Sequence, residues 1–253
     1  MKKSALILCG GKGTRLGALG KRSPKSLVKI QGKEILWYII KVLKKNGFTK
    51  FILPLGYKGK QIKLFLKKNK YFNTDIETIE TGTNTHIGKR LALVIDKIKS
   101  ENFLLLNGDA IFNFNINQIL KEHIKTKATI TFMSTEISYQ YGTVGVLKNK
   151  VVDFKRDLFY EVLKIRKKPS YKAYNYSGIS IINTKIIKNL RNICMKAKNF
   201  ETEIYPKLIK KKAVMKKIVG FWHSIDNLKD IDVLNRDEGK KKYIKKIRIE
   251  KFK

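Results

Sequence analysis

The sequence predicts an α/β fold in which a mixed, mostly parallel sheet lies between two layers of helices. Three observations carry that expectation. Short apolar runs alternate with amphipathic stretches through the first half of the chain. The third run, residues 103–106, breaks directly into Asn107-Gly108-Asp109. After Asp109, strand-like runs follow one another without a full crossover helix. Apolar runs separated by helices make parallel βαβ units covered on both faces, whereas neighbouring strands without a crossover pair antiparallel.

The elements follow in order. Residues 4–9 read as a buried strand, and Ile35, Ile39, Ile40, Val42 and Leu43 recur at helical spacing. A second strand covers residues 48–55. Ile62, Leu64, Phe65 and Leu66 mark a second helix, residues 87–97 a third, and residues 103–106 the next strand. Strands at 128–135, 143–147 and 175–183 then alternate less regularly, followed by helical patterns at 185–192 and 201–211. The lysine-rich stretch 236–253 reads as a solvated helix or a frayed end. With no repeats and no linker, residues 1–235 form one domain, its first part near 1–125 and its second near 126–235.

At 253 residues with 43% hydrophobic side chains the chain can bury a core, which excludes a disordered protein. Its 56 Lys+Arg against 20 Asp+Glu leave +36, which favours polyanionic partners such as phosphates or nucleic acid. Two cysteines and three scattered histidines support neither a disulfide framework nor a zinc site, so a reducing cytoplasm is the expected location. Lys2-Lys3 before residues 5–9 imitates a lipoprotein signal, but the apolar run is shorter than the ~7–15 residues a signal core needs. No run approaches the ~20 apolar residues of a membrane span, so no membrane insertion is expected.

The densest chemical signal is Leu8-Cys9-Gly10-Gly11-Lys12-Gly13-Thr14-Arg15-Leu16, followed by Pro24-Lys25. A strand that ends in clustered glycines lets backbone N–H groups close around an anion. Arg15 can fork two phosphate oxygens and Lys25 can add a point charge. A plain tight turn with a solvated arginine is the alternative. A P-loop would need Lys-Ser/Thr after its last glycine, and a dinucleotide fingerprint a glycine where Leu16 stands, so a dehydrogenase is disfavoured. Asp109, at the end of its strand, faces the crevice where such sheets bind ligands, and Mg²⁺ favours one or two carboxylates plus phosphate oxygens.

Gly-Gly-x-Gly-Thr-Arg with the downstream Pro-Lys resembles the signature of the nucleotidyltransferases that activate sugar phosphates. Residues 35–39, 56–59, Glu80-Thr81-Gly82, Gly88-Lys89-Arg90-Leu91 and Gly220 to Asp226 resemble the glucose-1-phosphate cytidylyltransferase branch, and the likeness reaches about Asp232. The resemblance implies a Rossmann-like three-layer αβα sheet of the nucleotide-diphospho-sugar transferase type. It also implies transfer of CMP from CTP to a phosphorylated acceptor with release of pyrophosphate. Leu8, Gly10, Gly11, Gly13, Thr14, Arg15, Lys25 and Gly108 would hold the triphosphate; Arg15, Lys25 and Asp109 would be catalytic. Asp109 and Asp226 would hold Mg²⁺, with Mn²⁺ as a substitute; a helix cap is the alternative reading of Asp226. Gly82, Gly88 and Arg90 would lie around the base, although both glycines could simply be turn residues and Arg90 could equally be a solvated helix-face residue.

The acceptor side departs from the branch. Phe-x-Glu-Lys-Pro is replaced by Phe154-Lys155-Arg156 and a later Lys167-Lys168-Pro169. Lys168, with Arg156 as substitute, is the candidate for the acceptor phosphate, and Tyr176 and Glu201 for the rest of the acceptor. The chain as a whole is similar to cytidylyltransferases that activate phosphoglutamine for capsular phosphoramidate, so L-glutamine phosphate is the expected acceptor and glucose 1-phosphate the alternative. A reading from another class is a non-catalytic RNA-binding or regulatory module. The positive charge is dispersed and no RNP-like motif occurs, so no specific nucleic-acid partner is expected.

Overall fold

A computed structural model describes residues 3–11, 13–138, 143–147, 150–155, 159–160 and 174–249. Its centre is a seven-stranded sheet in the spatial order Ala213–Lys217, Ile130–Thr135, Asn175–Asn183, Asn102–Asn107, Lys3–Leu8, Phe48–Leu55 and Asp75–Glu80. Every neighbouring pair is parallel except the two made by Asn175–Asn183, which runs antiparallel to both flanking strands. The mixed, mostly parallel sheet expected from the sequence is therefore present, with its antiparallel member in the second half of the chain.

Both faces of the sheet are covered. Along Lys3–Leu8, Ala5 and Ile7 enter one core and Leu6 the other; Leu104 and Leu106 separate from Phe103 and Leu105 in the same way. All are essentially removed from water, and burial of each larger side chain is worth roughly 1.5–3 kcal/mol relative to exposure. The helix Ile35–Lys45 buries Ile35, Leu36, Ile39, Ile40, Val42 and Leu43, and it stops where Gly47 turns to φ 77°. On the opposite face lie the helices Ile87–Val94, Thr184–Asn189 and Arg191–Lys196, whose Leu91, Val94, Ile187 and Cys194 belong to the second core.

Several strands among the described residues escape the sequence pattern. Asp75–Glu80 is an edge strand of half-exposed residues, so it lacks an apolar run; Lys50 pairs with its Asp75 and Glu77. Ala213–Lys217 occupies the other edge, also with little burial. Ala110–Phe114 and Gly220–Ser224 pair antiparallel in a small ladder beside the main sheet.

The lysine-rich C-terminal stretch forms the helix Glu238–Ile249, but it is neither frayed nor fully solvated. Ile244 and Ile247 are buried in the first core, Tyr243 stacks on Phe221 at 5.2 Å, and Arg248 donates to the Gln31 carbonyl. Two isoleucines three residues apart suffice to dock one stripe while the lysines stay outside. Among the described residues no helix is long and apolar enough to cross a membrane.

Candidate active site

The parallel strands Lys3–Leu8, Phe48–Leu55 and Asn102–Asn107 end on one edge of the sheet, and a cleft of about 530 Å³ opens there. Leu8, Gly10, Gly11 and Gly13 form one wall with Lys25, and Gly108 and Asp109 form the floor. The glycines do different things. Gly11 is exposed, with open space where a side chain would be. Gly13 has φ 62°, and a Cβ on it would stand 3.2 Å from that of Lys25. The Gly13 carbonyl accepts from Leu16 N, closing a single turn, Thr14–Leu16, from which Arg15 projects. Lys25 opens a second such turn behind Pro24. Lys12 lies outside the described residues. Cys9 also borders the cleft, but burial pushes its thiol up to about 12, so it is no nucleophile at neutral pH.

The ladder between Ala110–Phe114 and Gly220–Ser224 explains how two distant aspartates meet. Ser224 pairs with Ala110, so Asp109 and Asp226 emerge at the same end, and Ile225 N donates to the Asp109 carbonyl at 2.8 Å. Gly108 is held against Leu8, its N–H on that residue's carbonyl at 3.1 Å, where a Cβ would meet the same oxygen at 3.0 Å.

Lys25 stands between the carboxylates, its Nζ 2.9 Å from Asp109 Oδ2 and 3.1 Å from Asp226 Oδ1. Arg15 reaches Asp226 at 3.3 Å, largely in solvent. Burial pushes the Asp226 carboxyl up, but Lys25, then a hydrogen bond from Ser224 and then Arg15 outweigh it and hold the group below the usual aspartate range. Asp226 is not a helix cap. Asn227 caps the helix Leu228–Arg236, and Asp230 Oδ2 accepts from the backbone N–H of both Asp226 (2.7 Å) and Asn227 (2.9 Å). Two carboxylates thus face one cation. Among the described residues no group of three or more His, Cys, Asp or Glu could hold a metal. An ion here would share Asp109 and Asp226 with phosphate oxygens and water, a set that suits Mg²⁺.

The opposite wall separates the readings open for Arg90, Gly88 and Gly82. Arg90 lines the cleft but is not solvated: it is 4% exposed, and its guanidinium donates to backbone carbonyls of the protein and to Thr81. Gly88 does not face the cleft. A Cβ there would lie 2.7 Å from the Cys194 carbonyl and 3.2 Å from Ala197 Cβ, so it lets two helices touch. Gly82, at φ 93°, makes a turn and is not part of the wall. The residues between these glycines, Thr83, Thr85, His86 and Ile87, line the cleft instead. The flanking glycines marked that loop without identifying the residues inside it.

On the acceptor side, Lys168 and Arg156 lie outside the described residues. Glu201 borders the cleft with Lys198, Asn199 and Phe200, three residues that no motif flagged. Tyr176 does not reach the cleft. Its hydroxyl meets that of Tyr205 at 2.6 Å, and its ring packs edge-on against Phe132 and Tyr205. Burial pushes both phenols up. This aromatic cluster lines a separate groove of about 480 Å³ that shares Glu201 with the cleft.

A model described as nucleotidyl transferase matches residues 4–237. A Bacillus subtilis protein named "Probable glucose-1-phosphate cytidylyltransferase" is 30% identical, with 92% of this chain and 94% of that protein aligned. Glucose-1-phosphate cytidylyltransferase of Salmonella typhimurium is 26% identical over 89% of this chain and 92% of its own. Among solved structures, HddC from Yersinia pseudotuberculosis superposes with a TM-score of 0.67 at 21% identity, covering 90% of this chain and 96% of that one, which speaks to the fold.

Proposed function

The chain belongs to the nucleotidyl transferase family, and on that footing we propose that it is a cytidylyltransferase that moves CMP from CTP onto a sugar 1-phosphate and releases pyrophosphate. The convergence of Asp109 and Asp226 on Lys25, at the mouth of the glycine-rich loop, carries the reaction. The names of the two aligned relatives support cytidine and glucose 1-phosphate over the phosphoglutamine that the sequence resemblance favoured. Phosphoglutamine stays as the second acceptor. Its support is the sequence resemblance and the departure of the acceptor side from Phe-x-Glu-Lys-Pro.

A phosphate oxygen of the acceptor attacks the α-phosphorus of CTP, the new O–P bond forms, and the bond to the β-phosphate oxygen breaks in line. The attacking oxygen is already anionic at neutral pH, so the chain need supply no general base. Its task is alignment and neutralisation of charge. Gly11 and Gly13 let the loop close on the pyrophosphate that leaves, and Arg15 projects from the next turn to meet it. Lys25 stands where the loop meets the aspartates, within reach of the α-phosphate. Asp109 and Asp226 are the residues that would hold Mg²⁺ or Mn²⁺, which would supply further charge neutralisation at the phosphates.

The test is pyrophosphate release with Mg²⁺, crossing four nucleoside triphosphates against glucose 1-phosphate, other sugar 1-phosphates and phosphoglutamine. Release with CTP and a sugar 1-phosphate supports the reading. Release with CTP and phosphoglutamine alone replaces the acceptor, and a folded protein silent with every pair overturns the activity. Asp109→Asn should lose at least a hundredfold in kcat while CTP still binds; wild-type turnover would remove Asp109 from the mechanism.

A further inference from the structure

Arg90 has five N–H donors, and five acceptors of the protein lie within hydrogen-bond reach of them. Nε donates to Thr85 O (3.0 Å), one terminal nitrogen to Leu55 O (3.1 Å) and Thr81 Oγ1 (2.6 Å), and the other to Gly10 O (3.3 Å) and Thr83 O (3.4 Å). A guanidinium carries five N–H groups in a rigid fork, so this one has none left for a ligand. The partners belong to three separate segments: the glycine-rich loop, the end of strand Phe48–Leu55, and the loop that follows strand Asp75–Glu80. The chain makes room for the fork. A Cβ on Gly10 would lie 2.4 Å from it and one on Gly56 2.6 Å, so a side chain at either position would force the fork to shift.

We propose that Arg90 is a positioning residue that sets the distance between the glycine-rich loop and the loop carrying Thr83, Thr85, His86 and Ile87, and thereby determines how tightly the site grips a whole nucleotide. The proposal rests on the nucleotide occupying the cleft, as in the function proposed above. Those two loops are opposite walls of it. A triphosphate tail needs the glycine-rich loop alone, whereas a nucleoside triphosphate must touch both walls at once. A clamp between the walls therefore matters to the second ligand far more than to the first. A lysine at this position keeps the charge but offers one ammonium in place of a planar fork, and it cannot bridge three segments.

The experiment compares binding of CTP and of inorganic tripolyphosphate, by calorimetry, to the wild type, Arg90→Lys and Gly56→Ala. Gly56→Ala leaves the arginine in the chain but pushes a methyl group into its fork and to 2.8 Å from the Gly82 carbonyl at the base of the facing loop, so it perturbs the spacing of the two walls without removing the charge. Both variants should weaken CTP at least tenfold and tripolyphosphate less than threefold. The double variant should be no worse than the poorer single one, because both substitutions break the same contact. Equal weakening of the two ligands, no weakening of either, or additive effects in the double variant would overturn the assignment. The comparison does not depend on the acceptor: a wild type that binds CTP but releases no pyrophosphate with any acceptor sinks the proposed activity and leaves the clamp to be judged on the binding ratio. Should Arg90→Lys fail to fold, Gly56→Ala decides alone.

Discussion

Replacing Gly88 by alanine separates two roles that a glycine beside a nucleotide site can have, because they predict opposite signs. Gly88 lies in the helix Ile87–Val94 and faces the helix Arg191–Lys196. A new methyl group would stand 2.7 Å from the Cys194 carbonyl oxygen, which is backbone and cannot rotate away, and 3.2 Å from Ala197 Cβ. Overfilling a packed contact costs roughly 1–3 kcal/mol. Against this, alanine gains about 1 kcal/mol over glycine in a helix interior. Because the nearest obstacle is rigid, the upper half of the packing range applies, and the net effect is a loss of ~1–2 kcal/mol. For a domain of this size that lowers Tm by roughly 2–8 °C. CTP affinity should change less than threefold. The assay is urea denaturation together with CTP binding. A variant about 1 kcal/mol more stable, with CTP binding weakened tenfold or more, would return Gly88 to the nucleotide site and refute the packing argument.

Asp230→Ala removes the carboxylate that accepts from the N–H groups of Asp226 and Asn227. We expect a loss of ~0.5–2 kcal/mol in denaturation, as for other helix caps. A fall of about tenfold in kcat, or 1.4 kcal/mol in the barrier, with CTP affinity unchanged, should accompany it because Asp226 loses its backbone anchor. His123 is buried between Thr131 and Asn102, and burial holds its imidazole down to about 4. The unfolded chain takes up a proton near pH 6.5 and the folded one only near 4. Stability from this group is therefore complete above 6.5 and lost as pH falls through that window, by about 3 kcal/mol in total. His123→Gln should flatten that part of the stability profile, and an unchanged slope would count against it. With a net charge of +36, the protein should bind duplex DNA of any sequence in low salt and release it as salt rises, which a filter-binding titration measures. Salt-resistant binding to one sequence would favour a dedicated nucleic-acid module.

The parts of this molecule written locally in the chain were legible in it. The strands Phe48–Leu55 and Asn102–Asn107 and the helix Ile35–Lys45 bury continuous or regularly spaced apolar residues, and periodicity alone finds them. Asp75–Glu80 was not legible, because an edge strand needs only one partner and carries charge where a central strand carries leucine. The tail was legible as a helix, but its docking was not, because two buried isoleucines are outnumbered by the lysines around them. In the site, the glycine-rich loop, Lys25 and Asp109 were visible from spacing. The pairing of Asp109 with Asp226 came through resemblance, since it depends on a ladder between strands far apart in sequence that no local pattern encodes.

The glycine-rich loop shows why residue type alone could not assign roles. Gly10, Gly11 and Gly13 look equivalent as a motif, yet the space around them differs. Gly10 is small because the Arg90 fork lies against it, so the reason for that glycine sits eighty positions downstream. Gly13 needs its positive φ and its closeness to Lys25, which brings an ammonium to the edge of the loop. Gly11 alone has neither a neighbour nor an unusual torsion to explain it, and it is exposed on the cleft wall. An absent side chain that no described protein atom requires is best explained by something that approaches from the cleft, and Lys25 in the lining of the same cleft marks that visitor as an anion. Substitution at Gly11 should therefore injure phosphate binding without cost to folding, whereas at Gly10 it should disturb both walls of the site through Arg90.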